Sequence, residues 1–236
     1  MKLLAFDTST DRVSIAVQRE AAVWQHEAAG GALASSTLIP AIEALMAQAQ
    51  LRYGQLDAIV FGRGPGSFTG LRTACAVAQG LAYGAGVPLL PVDTLLAVAE
   101  QARLQHAPQA PTLQLLALLD ARMGELYAAP YAWAEGRWLR TGDYRLARPD
   151  QLQVPSGHAL AGNALALYDA QLPPAPRWPA QPTAGALLRL APALWTAGAA
   201  VPAEQALPLY IRDKVALTTE ERAAAHPHRH PAPPKP

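Results

Sequence analysis

One cysteine, Cys75, stands in 236 residues. A single thiol closes no intrachain disulfide and builds no cysteine zinc cage, so a reducing compartment is the simplest setting. Charge is also scarce. Asp, Glu, Lys and Arg make up 16% of the chain, and 19 basic against 18 acidic residues leave a net charge of +1. That balance excludes a protein that grips nucleic acid mainly through a dense basic face. Chain-wide disorder is excluded too, because 51% of the residues are hydrophobic and the net charge is small. Uninterrupted apolar runs of membrane length are missing. The longest charge-free apolar stretch, 74–92, is broken by Gln79, Gly80, Gly84, Gly86 and Pro88, which makes it a helix followed by a strand. At the start, Asp7 follows only four apolar residues, too early for a signal-peptide core. The expectation is a soluble, cytoplasmic protein with no membrane contact, of one large or two small domains.

What is present is a strand and helix rhythm. Residues 2–7 form an apolar run, and 12–18 alternate Val13, Ile15 and Val17 against Arg12, Ser14 and Ala16. Thr8-Ser9-Thr10-Asp11 between them is turn chemistry, so a hairpin is predicted. A third strand is expected over 21–27, a helix over 36–50, a strand over 57–61 and a glycine-rich loop over 62–70. A helix over 71–83, a strand over 88–92 and a helix over 94–105 complete a βββαβαβα unit. The linker 106–111 carries two prolines. The pattern then restarts with strands over 113–119, 126–133 and 138–145. Weaker signals lie at 158–161, 163–170 and 184–196, and 207–212 closes the ordered part. The expected domains are 1–106 and 107–221, with the last segment packing back on the first lobe. Residues 222–236, rich in Pro and His, are expected to be a disordered tail.

Two hairpin-led units, with Asp7 and Asp120 at their first turns, predict a duplicated α/β fold with a cleft between the halves. This resembles the actin-like ATPase (RNase H-like) fold of sugar kinases and heat-shock ATPases, in which the two turns face each other and hold nucleotide phosphates. Asp7, Thr8, Ser9, Gly64, Gly66 and Asp120 are the candidates for such a site, weak or vacant. The plain alternative for the two acids is an ordinary hairpin turn. The loop opens a helix, where anions are favoured, yet it lacks a Gly-Lys-Ser/Thr ending and the G-x-G-x-x-G spacing. Close packing and capping by Ser67 or Thr69 are the preferred reading of its glycines.

The string Gly62-Arg63-Gly64-Pro65-Gly66-Ser67-Phe68-Thr69-Gly70-Leu71-Arg72, with Leu4-Ala5-Phe6-Asp7-Thr8-Ser9, closely resembles the TsaB (YeaZ) family. Asp120-Ala121-Arg122-Met123-Gly124-Glu125-Leu126-Tyr127 and Pro208-Leu209-Tyr210-Ile211-Arg212 fit the same family, and the similarity covers roughly 1–215. The resemblance implies a non-catalytic subunit of the bacterial machinery that makes threonylcarbamoyl-adenosine at position 37 of tRNAs reading ANN codons. It implies a heterodimer with the larger paralogue TsaD, which performs the transfer. The small ATPase TsaE joins the pair, a separate synthase supplies threonylcarbamoyl-AMP, homodimers form, and tRNA is met only through the complex. No cofactor is required, with at most weak ATP or ADP binding. TsaD-like transfer uses a His-x-x-x-His metal pair just after the strand ending at Val92. Thr94 and Val98 stand there in this chain, so no metal site and no catalytic residue are expected. The competing readings are an ATP-dependent small-molecule kinase or hydrolase, using Asp7 or Asp120 on Mg²⁺ or water, and, more weakly, a metallopeptidase.

The remaining features divide between surface and core. Leu38, Ile42, Leu45 and Ala49 recur at helical spacing with Met46 beside them, a pattern that also suits a core stripe. The helix 71–83 offers small residues, including Ala74 and Ala78, next to Leu81. Together these eight are the expected subunit interface, so that Ile42→Glu or Ala78→Glu would abolish association while the fold survives. Cys75 is expected to be buried and inert. Arg137, Arg140, Arg145 and Arg148 read as a solvated strand face, with tRNA contact inside a complex as the alternative. His226, His228 and His230 read as solvated tail.

Overall fold

The computed structural model describes residues 1–212, and its first sheet grows outward from β1 (Lys2–Asp7). Leu4 and Phe6 enter the core on one face of the sheet, Leu3 and Ala5 the core on the other. Alternate side chains of a doubly covered strand must do this. β1 pairs antiparallel with β2 (Arg12–Arg19), and β2 with β3 (Ala22–Ala29). On its other edge run β4 (Ala58–Gly64) and β5 (Leu89–Asp93), both parallel, giving the order β3-β2-β1-β4-β5. The parallel steps require crossovers, which α1 (Ala34–Gln48) and α2 (Phe68–Ala85) supply before α3 (Thr94–His106) leaves the sheet. α2 is longer than its apolar rhythm predicts and stops at Gly86, whose φ of 67° ends the helix in the left-handed region.

The second sheet repeats this plan around β6 (Thr112–Arg122). A hairpin leads from β6 to β7 (Glu125–Ala134), and β8 (Arg137–Arg140) and β9 (Arg145–Ala147) both pair with β7. β10 (Ala159–Gly162) and β11 (Arg177–Trp178) run parallel on the far side of β6, so the order is β11-β10-β6-β7-β8. This is the duplicated actin-like α/β arrangement. The second half differs in having two strands, β8 and β9, in place of β3, and in having only the 3-10 turn Pro149–Gln151 where the first half has α1. It then adds α4 (Ala164–Tyr168) and α5 (Ala184–Thr196), the latter capped by the Thr183 hydroxyl, which accepts from the Ala186 N–H. The single strand expected over 138–145 is two. Pro130 of β7 is the cause: its carbonyl accepts from the Thr141 N–H at 2.9 Å, so its ring occupies the donor position on that edge and the ladder breaks there.

Helices and sheets alternate. α1 and α2 cover one face of the first sheet and α5 the other; α3 covers one face of the second sheet and α4 the other. α3 and α5 touch each other between the two sheets, each covering the sheet of the opposite half.

The expected interface residues are corrected by this layering. Leu38, Ile42, Leu45, Met46, Ala49, Ala74 and Ala78 are all buried beneath α1 and α2 against the first sheet, and Leu81 is half-buried on its margin. The stripe that repeats every third and fourth residue is the stripe facing the sheet. The outer faces of the same helices carry Ile39, Glu43, Gly80, Tyr83 and Gly84. Among these Tyr83 is 84% exposed. The expected tail at 222–236, with His226, His228 and His230, lies outside the described residues.

Candidate functional site

β1 ends at Asp7, and the chain turns through Thr8, Ser9 and Thr10. Asp7 Oδ1 accepts from the Ser9 N–H at 2.9 Å and from its hydroxyl at 2.6 Å, a turn closed by an Asp side chain. Thr94, the first residue of α3, donates to Asp7 Oδ2 at 3.5 Å, and the Thr8 hydroxyl donates to the Gly70 carbonyl at 2.7 Å. The glycine-rich loop is folded onto this turn. A Cβ at Gly62 would lie 1.8 Å from Asp7 Oδ2, and one at Gly70 would lie 1.9 Å from the Thr8 carbonyl oxygen. Only glycine permits that approach. Burial, the dominant influence, raises the pKa of Asp7 against the donated hydrogen bonds of Ser9 and Thr94.

Across the cleft Asp120, near the end of β6, accepts at Oδ1 from the Arg122 N–H and the Tyr168 hydroxyl, both at 2.9 Å. Its Oδ2 lies 3.3 Å from the Arg122 guanidinium. Its own N–H donates to Asn163 Oδ1 at 3.0 Å. The turn to β7 passes through Met123 and Gly124 at φ of 58° and 74°, the left-handed pair of a tight hairpin.

The two turns face each other across a cleft of ≈ 330 Å³. Ser9, Gly66 and Asp120 line it; Asp7, Thr8 and Gly64 do not. Asp7 and Thr8 are sealed behind Ser9 by the glycine contacts, so neither carboxylate nor hydroxyl reaches a molecule in the cleft. Gly64 is buried under the chain at Leu209. The cleft is also lined by residues that were not among the site candidates: Ser67, Phe68, Asn163 and the segment Leu209, Tyr210, Ile211 and Arg212. Ser67, Phe68 and 208–212 lay within the motif strings, and the closing segment was expected to pack back on the first lobe; nothing in the sequence marked Asn163.

Thr94 and Val98, where the resemblance puts a metal pair in the transferase, are fully buried. Thr94 accepts from the Gly64 N–H at 3.2 Å, and Val98 packs in the core of the second sheet. Neither offers a metal a nitrogen or a carboxylate. Cys75 is buried; its thiol donates to the Ala206 carbonyl at 3.4 Å, and burial pushes its pKa up, which suppresses the reactive thiolate. The arginines of the second sheet are engaged locally. Arg137 lies 3.3 Å from Glu135, Arg148 lies 3.2 Å from Asp150, and Arg140 sits 4.0 Å above the Tyr144 ring.

Residues 28–225 match the family model described as TsaD: tRNA N6-adenosine threonylcarbamoyltransferase. A protein of Escherichia coli called tRNA threonylcarbamoyladenosine biosynthesis protein TsaB is 30% identical over 92% of this chain and 96% of its own length. The like-named protein of Haemophilus influenzae is 38% identical, but the match spans 54% of this chain and only about half of the relative, 52%. The solved structure of YeaZ from Pseudomonas aeruginosa superposes with a TM-score of 0.80 at 36% identity, over 89% of this chain and 99% of that one. The chain belongs to the TsaB (YeaZ) family.

Proposed function

We propose that this chain is the non-catalytic scaffold subunit in threonylcarbamoyl-adenosine formation at position 37 of tRNAs reading ANN codons. It works in the cytoplasm as a heterodimer with TsaD, with TsaE joining the pair and tRNA met through the assembly alone. The observation that carries this reading is chemical: Thr94 and Val98, where the resemblance puts the transferase's ligands, offer a hydroxyl and an isopropyl group, both fully buried. Asp7 supports it, since its carboxyl is spent on Ser9 and Thr94 rather than turned to the cleft. The names of the relatives supply the pathway. The partner surface is the outer side of α1 and α2 at Ile39, Gly80, Tyr83 and Gly84, where added Cβ atoms on the two glycines would meet nothing within 4 Å.

The test is reconstitution. The purified chain with tRNA and threonylcarbamoyl-AMP is expected to modify nothing, and addition of TsaD and TsaE is expected to restore modification. Modification by the chain alone would end the scaffold reading. A nucleotide-hydrolysis rate abolished by Asp120→Asn would favour a kinase or hydrolase instead.

A further inference from the structure

The mouth of the cleft is crossed by residues 207–212, and their contacts change lobes partway along. Just before them, the Ala206 carbonyl accepts from the Gln79 amide of α2 at 2.9 Å. The Leu209 N–H donates to the Arg63 carbonyl at the end of β4 at 2.7 Å. The Tyr210 ring lies 5.4 Å from that of Phe68, and its hydroxyl accepts from Arg72 Nε at 3.3 Å while the Arg72 guanidinium lies 3.9 Å over Phe68. All of these partners belong to the first half. From Ile211 onward the partners belong to the second: Ile211 packs against its core, and Arg212 pairs with Glu125 and donates to the Ala121 carbonyl at 3.2 Å. The loop is shaped to admit the segment, since a Cβ at Gly64 would lie 2.6 Å from the Leu209 carbonyl oxygen.

We propose that the mouth of the cleft is a docking surface whose occupant is this chain's own segment 207–212, a latch that ties the two lobes together. Tyr210 holds it to the first lobe through an aromatic and cationic seat. Arg212 holds it to the second through a charge-assisted pair with Glu125. With the latch seated, the space left beneath it is ≈ 330 Å³, near the lower end of small-molecule sites. The inference does not rest on the tRNA reading.

Hydrogen exchange on the full chain tests it. Arg212→Ala and Glu125→Ala are each expected to speed exchange of the Leu209 amide, which donates to the Arg63 carbonyl, at least roughly tenfold, while β1 amides keep their protection. The charge-swapped pair, Arg212→Glu with Glu125→Arg, is expected to recover most of the protection. Unchanged exchange in both single variants, or no recovery in the swap, would overturn the latch. If either single variant also loses protection in β1, Arg72→Ala decides, because Arg72 is exposed and its removal leaves the core intact. Faster exchange confined to the Leu209 amide in that variant supports the latch, and unchanged exchange overturns it.

Discussion

Asp7 is a buried carboxyl with no cation beside it among the described residues. Its raised pKa makes the folded chain bind a proton more readily than the unfolded chain. The sign follows: the charged form carries a penalty above the raised pKa, and the penalty vanishes below the ordinary value of 3.8, where both states are protonated. Asp7→Asn keeps an oxygen for Ser9 and removes the charge. The variant is expected to melt above the wild type at about pH 7.5, with the difference closing toward about pH 4. Differential scanning fluorimetry across that range measures it, and a lower melting point at neutral pH would contradict it. That Asp7 sits in a turn was legible from Asp-Thr-Ser-Thr. Its burial was not, because the groups that seal it, Gly62, Gly70 and Thr94, arrive from other strands and helices.

Among the elements, α1 and α2 show where a pattern underdetermines a surface. Helical spacing announced one apolar stripe but not whether sheet or partner would cover it. The sheet does, and the proposed partner face falls on residues with no periodic signature. Ala78→Glu and Ile42→Glu therefore place a carboxylate in the core and are expected to unfold the chain, at a cost of several kcal/mol. Tyr83→Glu changes a side chain that is 84% exposed. It is expected to shift stability by less than about 0.5 kcal/mol and to abolish binding to TsaD in sedimentation velocity. Full binding by a folded Tyr83→Glu variant would move the interface elsewhere. The first half was legible almost element by element, since β1 and β4 are apolar runs, β2 alternates and its helices are long. The second half was less so. α4 has only five residues, and Pro130 splits a strand whose composition reads as continuous.

At the scale of the whole molecule, Glu100 joins the halves. This residue of α3 is 2% exposed. It accepts from Arg103 of the same helix at 2.9 and 3.0 Å, from the Trp138 indole of β8 at 3.0 Å and from Arg189 of α5 at 2.9 Å. Burial pushes its carboxyl up, but the donors from Arg103, Trp138 and Arg189 together outweigh burial and hold it below the ordinary 4.5. Its stabilising effect is therefore present above that ordinary value and lost as pH falls through the lowered one. Glu100→Gln leaves Arg103 and Arg189 without their counter-charge and is expected to cost about 3 kcal/mol at neutral pH in urea unfolding. The deficit should shrink in acid; a deficit that stays constant down to about pH 3 would show that packing rather than charge is at stake. Only the Glu100–Arg103 pair is local; no local pattern could reveal Trp138 and Arg189, because they meet Glu100 only once both lobes are assembled.

α5 is the last α-helix among the described residues, yet it lies against the sheet that residues 2–7 begin. A ribosome must therefore release the chain through α5 before Leu3, Ala5, Val60 and Leu90 lose their contact with water. Throughout synthesis the nascent amino-terminal half exposes a greasy strand surface, which makes chaperone capture and aggregation compete with folding until the final helix emerges.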